Sequence, residues 1–226
     1  MRLSYCFTLN QLSVLLKGSG CSFLRGVGSR DVKLENHEVL SALNELSNMG
    51  ILISDGEDFR LGDDARAVVE AIKNPDEYLF VRSSNSALVD LCCYYSDNLL
   101  ICSYRDRYIP ELVRINVTDE ASLSEQLEEE GYFFVNGEGL FPDENEAEDF
   151  ESNEIQLSSY EEPIAPDSPL LFNAERIDPT GRIKASFKII EMKLYSYIYY
   201  FDSSGLIRDR LTLANARNYF GRLVKK

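Results

Sequence analysis

The chain has 226 residues, 44% of them hydrophobic, and a formal net charge of −15. This length and composition can bury a core, in one large α+β domain or in two small ones. Eighteen of the 38 acidic residues lie between Ile115 and Glu175, a segment without lysine or arginine, so the rest of the chain is nearly neutral. A segment this acidic repels phosphate backbones and anionic lipids, which argues against nucleic acid and membrane surfaces and favours proteins as partners.

The first third of the sequence predicts short strands that alternate with helices. The predicted elements are a strand over 3–7, a helix over 8–17, a helix over 35–49, a hairpin with strands at 51–54 and 59–61, and a helix from 63 or 64 to 72. Asp55-Gly56 supplies the positive φ angles of the tight hairpin turn. The segment 35–72 therefore has the outline of a winged helix. Its recognition face would carry three glutamates, the wrong charge for DNA, so we interpret it as a packing unit.

The rest of the chain predicts two groups of strands separated by an acidic segment. The first group is a β-meander over 78–117, with strands at 78–82, 87–95, 99–105 and 108–117, followed by a helix that begins at 118 or 119 and ends at 131. The second group has strands at 170–177, 183–192, 195–201 and 206–210 and a closing helix from 212. We expect a single domain over 1–226, in which an N-terminal half, 1–136, is joined by an acidic linker, 137–169, to a C-terminal β block, 170–226.

Residues suited to catalysis or metal binding are scarce. His37 is the only histidine, and its polar surroundings indicate a solvated surface residue. The five cysteines have no metal-ligand spacing and favour reduced, buried thiols over disulfides. The acids of 143–154 lack the ligand spacing of a calcium loop, which leaves only adventitious calcium open. We expect no enzyme activity, no cofactor and no metal site.

The sequence has no run of about 20 apolar residues, which is the length needed to span a bilayer. Polar residues also interrupt the apolar start of the chain, MRLSYCFTLNQLSVLL, which is not typical of a signal peptide. We therefore expect a cytoplasmic protein without membrane insertion.

Several short motifs resemble the EspG-like chaperones of bacterial type VII secretion. In that family a strand and a TL-x-x-L helix precede a longer helix that ends in a small-residue turn, and a later helix closes on an x-Pro-acidic step into a sheet. The matching segments are Phe7-Thr8-Leu9-Asn10-Gln11-Leu12, Ala42 to Leu52 and Val68 to Asp76. The strands and the L-x-x-x-L helix between Leu88 and Leu127, and the C-terminal strands with a last Arg-rich helix, are also similar to the family pattern.

This resemblance implies an α+β fold with a twisted, mainly antiparallel central β-sheet flanked by helical subdomains, and it would allow pseudo-twofold halves. The implied function is a cytosolic, non-enzymatic chaperone or adaptor that binds a secreted helical-hairpin protein. By analogy, the partner-binding residues would be Ser83, Asn85, Arg105, Arg107 and Tyr108, since aromatic and arginine anchors suit protein interfaces. The alternatives are a winged-helix transcriptional regulator and another protein-interaction domain. The sequence does not define the oligomeric state.

Overall fold

A computed structural model of the chain describes residues 3–21, 24–26, 33–56, 58–96, 99–133, 170–191 and 196–225. The predicted acidic linker, 137–169, lies outside these residues. Contacts within the chain define two compact units: unit 1 comprises Met1–Asp76 and Leu91–Thr118, and unit 2 comprises Glu77–Asp90 and Asp119–Lys226.

The helices and strands of the described residues are as follows. They are, in chain order, β1 (Ser4–Thr8), α1 (Leu9–Gly18), α2 (Asn36–Asn48), β2 (Leu52–Ser54), β3 (Phe59–Leu61), α3 (Asp63–Lys73), β4 (Glu77–Ser83), β5 (Leu91–Ser96), β6 (Leu99–Arg105), β7 (Leu112–Thr118), α4 (Glu120–Glu129), β8 (Leu170–Ile177), β9 (Ile183–Glu191), β10 (Ser196–Asp202), β11 (Gly205–Arg210) and α5 (Leu213–Val224). None of the helices in the described part of the chain is long and apolar enough to cross a membrane.

Unit 1 combines antiparallel strands in the order β1-β7-β6-β5 with α1, α2, α3 and the β2–β3 hairpin. The helix α1 starts with a capping box, because Thr8 Oγ1 accepts from the Gln11 amide at 3.2 Å and Gln11 Oε1 accepts from the Thr8 amide at 2.8 Å. Gln11 Nε2 also donates to Glu45 Oε2 at 2.7 Å. This buried glutamine thereby satisfies its polar groups and links α1 to α2.

Unit 2 contains antiparallel strands in the order β4-β8-β9-β10-β11, with α4 and α5. Four phenylalanines form a core cluster in unit 2: Phe133 follows α4, Phe172 lies on β8, Phe187 on β9 and Phe220 on α5. Every pair of these rings meets edge to face, with centroids 5.1–6.2 Å apart. All four side chains are at most 2% exposed, so the cluster joins the helices to the strands by apolar packing.

The antiparallel strands and flanking helices confirm the predicted α+β fold class. Two predicted strands begin later than expected. β7 starts at Leu112 rather than Tyr108, because residues 106–111 form a loop that a hydrogen bond from the Asp106 amide to the Leu112 carbonyl closes. β5 starts at Leu91 rather than Ala87, because a hydrogen bond of 2.9 Å from the Leu88 amide to the Asn85 carbonyl makes a turn there.

One cysteine prediction is wrong. The prediction of reduced thiols fails for Cys93 and Cys102, which form a disulfide. The β5–β6 register places these two residues directly opposite each other, a proximity that cysteine spacing alone does not reveal. Cys6, Cys21 and Cys92 keep their thiols. Burial raises the pKa of the Cys92 thiol to about 12, which makes it a poor nucleophile.

Candidate protein-interaction site

The predicted partner-binding residues fall into two groups that belong to different units. Arg105, Arg107 and Tyr108 lie at the end of β6 and in the loop that follows it, in unit 1. Ser83 and Asn85 lie at the end of β4 and in the turn that follows it, in unit 2. The structure therefore joins three of the five residues in one local feature and the other two in another.

The loop between β6 and β7, residues 106–111, is built around Asp106. One oxygen of this carboxylate, Oδ1, accepts from the amides of Tyr108 and Ile109 at 2.9 and 3.0 Å. The other, Oδ2, accepts from Arg114 Nε on β7 at 2.5 Å. The Asp106 amide donates to the Leu112 carbonyl at 2.8 Å, which closes the loop at its base. The Asp106 side chain is thus fully engaged, and the loop has a defined backbone conformation.

The charge on Asp106 is part of this arrangement. The hydrogen bond from Arg114 and the two backbone amides lower the pKa of the Asp106 carboxyl below its usual value. The same carboxylate raises the pKa of Arg114. At neutral pH the carboxylate therefore stays ionised and continues to accept all three hydrogen bonds.

The ordered loop holds apolar side chains in the solvent. Tyr108 is 82% exposed and Ile109 is 50% exposed. The Arg107 guanidinium carbon lies 5.6 Å from the centroid of the Tyr108 ring, a cation–π distance. Arg105 Nη1 donates to the Pro110 carbonyl at 3.2 Å, which links the end of β6 to the loop. An exposed aromatic side chain on a preformed loop, next to arginine, is typical of a protein-contact site.

The turn after β4 has a different character. The Asn85 amide donates to Ser83 Oγ at 3.1 Å, and the Ala87 amide donates to Asn85 Oδ1 at 3.0 Å. The Ser84 amide donates to the Leu171 carbonyl at 2.9 Å, which anchors the turn to the start of β8. The oxygens of Ser83 and Asn85 thus shape the turn itself, and contact with a partner by these residues stays a prediction.

Sequence reasoning identified Asp106 as a turn residue but missed Ile109 and the pairing of Asp106 with Arg114. The aspartate was readable as a turn residue, because aspartate at the start of a turn commonly accepts from the amides two and three residues later. Its link to Arg114 depends on the β6–β7 register, in which Arg114 lies opposite Tyr104. Exposure of Ile109 has no sequence signal, since an isoleucine beside a proline and a tyrosine equally suits a buried strand.

The helix α2 precedes the β2–β3 hairpin, in the place of a winged-helix recognition helix. It contains no lysine or arginine. Glu45 accepts hydrogen bonds from Gln11 and from Ser41, and the single histidine, His37, lies 3.4 Å from a Glu35 carboxylate oxygen. This surface is acidic, which disfavours contact with a DNA backbone.

The fold places the chain among α+β proteins with antiparallel strands and flanking helices. Neither a family model nor a curated protein matches the sequence. Among solved structures, the fold is similar to the Mycobacterium tuberculosis type VII secretion system chaperone EspG5, which was solved in complex with a PE25–PPE41 dimer. The TM-score is 0.53 at 8% sequence identity, over 98% of this chain and 96% of that chain. At this identity the similarity shows a common fold along nearly the whole length of both chains.

Proposed function

We propose that the protein is a non-enzymatic chaperone or adaptor of type VII secretion that binds a secreted helical-hairpin protein in the cytoplasm. The observation that carries the proposal is the full-length fold similarity to the EspG5 chaperone. Its independent support is the β6–β7 loop, which displays Tyr108 and Ile109 at the surface. The motifs that resemble EspG-like chaperones point in the same direction.

The β6–β7 loop has the physical properties of a binding anchor. Three hydrogen bonds to Asp106 fix its backbone before any partner arrives, so little conformational entropy is lost on binding. Tyr108 and Ile109 offer apolar area that would leave water in a complex, while Arg105 and Arg107 can meet acidic or carbonyl groups at the rim. A helical-hairpin tip with exposed apolar side chains and free C-terminal carbonyls presents the complementary chemistry.

The chemistry of the loop also separates this proposal from a regulator that binds DNA. A phosphate-binding surface would need several cations arranged to meet the backbone, whereas this loop combines Arg105 and Arg107 with an exposed tyrosine and an exposed isoleucine. We therefore expect the same partner to be retained when the salt concentration is raised, because burial of apolar surface depends weakly on ionic strength.

The proposal is tested by capturing partners of the tagged, full-length protein from the cytosol of its native organism. Bound proteins are identified by mass spectrometry, and the mass of the recovered complex is measured by light scattering. We expect a small, helical secreted protein in a stoichiometric complex. Tyr108→Ala should lose this partner, whereas Leu40→Ala should retain it, since Leu40 is also an exposed apolar residue, at 60% exposure, but lies on a different element, α2. Recovery of nucleic acid, or of no partner, would refute the proposed function.

A further inference from the structure

Unit 1 contains a cavity of about 600 Å³ between α1, α2, the β2–β3 hairpin and α3. Most of its lining is apolar and comes from α1, α2 and the hairpin. The apolar lining includes Val14 and Leu15 of α1, Val39 and Leu43 of α2, and Phe59 and Leu61 of the hairpin. A volume of this size is within the range of about 300–1,000 Å³ that is typical of small-molecule sites.

The cavity is more than a packing defect. The space is open to solvent on one side, because Lys17, Phe59 and Arg66 of its lining are exposed. Its Leu, Val and Phe side chains offer few hydrogen bonds to hold water. Val14, Val39, Leu43 and Leu61 of the lining are only half-buried. These side chains would gain burial if an apolar molecule occupied the space.

The charged groups of the lining are exposed and therefore lie at its mouth. They are Lys17 near the end of α1 and Arg66 and Glu70 on α3. Two cations and one acid leave a net positive charge there, in a protein whose overall charge is −15.

We propose that this cavity binds a small aliphatic monocarboxylate, with the hydrocarbon chain inside and the carboxylate at Lys17 and Arg66. The apolar lining selects the chain, since each buried methylene group contributes about 0.8 kcal/mol of transfer free energy. The two cations select an anionic head over a neutral or cationic one. This site is independent of the β6–β7 loop and of the proposed chaperone function.

The test is calorimetric titration of the full-length protein with decanoate, and with decanol as the neutral analogue of the same chain length. We expect saturable binding of one decanoate per chain. The double variant Lys17→Gln, Arg66→Gln should bind decanoate about tenfold more weakly, as expected for the loss of two exposed ion pairs. Its affinity for decanol should be unchanged. The matched control is Arg60→Gln, which removes an exposed cation of β3 that does not line the cavity.

A second pair of variants tests the interior. Leu43→Phe fills part of the cavity and should lower the affinity for both decanoate and decanol by about tenfold or more. Leu40→Phe, on the exposed side of the same helix, should change neither affinity. Circular dichroism establishes that each variant is folded. If Leu43→Phe fails to fold, the comparison of the Lys17→Gln, Arg66→Gln double variant with Arg60→Gln still tests the proposal. Absence of saturable decanoate binding, or equal weakening of decanoate by Arg60→Gln and by the double variant, would overturn the proposal.

Discussion

Replacement of Phe220 by alanine tests how much unit 2 depends on its phenylalanine cluster. The Phe220 side chain is 1% exposed, and its ring centroid lies 5.1, 6.2 and 6.0 Å from those of Phe133, Phe172 and Phe187. A buried Phe→Ala replacement costs about 3–5 kcal/mol in unfolding free energy. Because the site is closed on several sides by other rings that cannot easily collapse into it, we expect about 4 kcal/mol.

Phe220→Leu separates apolar burial from ring geometry. Leucine keeps most of the buried area but loses three edge-to-face contacts, each with a contribution of about 0.5–1.5 kcal/mol. We therefore expect this variant to lose about 1.5 kcal/mol or more, and less than the alanine variant. The control is Leu170→Ala on β8, where the leucine is 45% exposed and its loss should cost about 1 kcal/mol or less.

Urea denaturation followed by far-ultraviolet circular dichroism measures these differences. In thermal unfolding of a chain of this size, a loss of about 4 kcal/mol in unfolding free energy corresponds to a decrease of roughly 8–16 °C in Tm. A loss below about 1 kcal/mol for Phe220→Ala would refute the role of the cluster. So would a Leu170→Ala variant that is as unstable as Phe220→Ala.

Three further predictions follow from unit 1. Gly26→Ala should lower Tm strongly, because Gly26 has a φ of +82° and an added Cβ would lie 2.4 Å from the Cys92 Cβ; an unchanged Tm would contradict this packing. Asp106→Asn should lower the unfolding free energy at neutral pH. The difference in unfolding free energy between this variant and wild type should persist above about pH 4 and shrink as the pH falls through the lowered pKa of Asp106. A difference that grows on acidification would contradict this prediction. Thiol titration in denaturant should find three thiols per chain without reductant and five after reduction; five in both cases would exclude the disulfide.

Local signals in the sequence predicted much of the secondary structure. Thr8, Asp119 and Thr212 are the N-caps of α1, α4 and α5, each with its side chain accepting an amide of the first turn. Asp55 and Gly56 make the expected turn between β2 and β3, with Gly56 at a φ of +105°. These features depend on a few neighbouring residues, which is why the sequence alone reveals them.

Features that depend on distant pairing were not predictable from local patterns. β4 pairs with β8 across a large sequence separation, with Tyr78 opposite Ile177, and no local signal encodes such a partner. The Cys93–Cys102 disulfide depends on strand register. The loop carrying Tyr108 depends on Asp106 meeting Arg114, so the sequence identified Tyr108 but neither the exposed Ile109 nor the ion pair that orders the loop.

The central claim is that the β6–β7 loop is the anchor for a helical secreted partner, and the most direct test is the affinity of that complex. The dissociation constant of the captured partner is measured by calorimetry for wild type, Tyr108→Ala and Leu40→Ala. The account predicts a loss of about thirtyfold or more for Tyr108→Ala, the size of an interface hot spot of at least about 2 kcal/mol, and no change for Leu40→Ala. Equal affinities for all three proteins would contradict it.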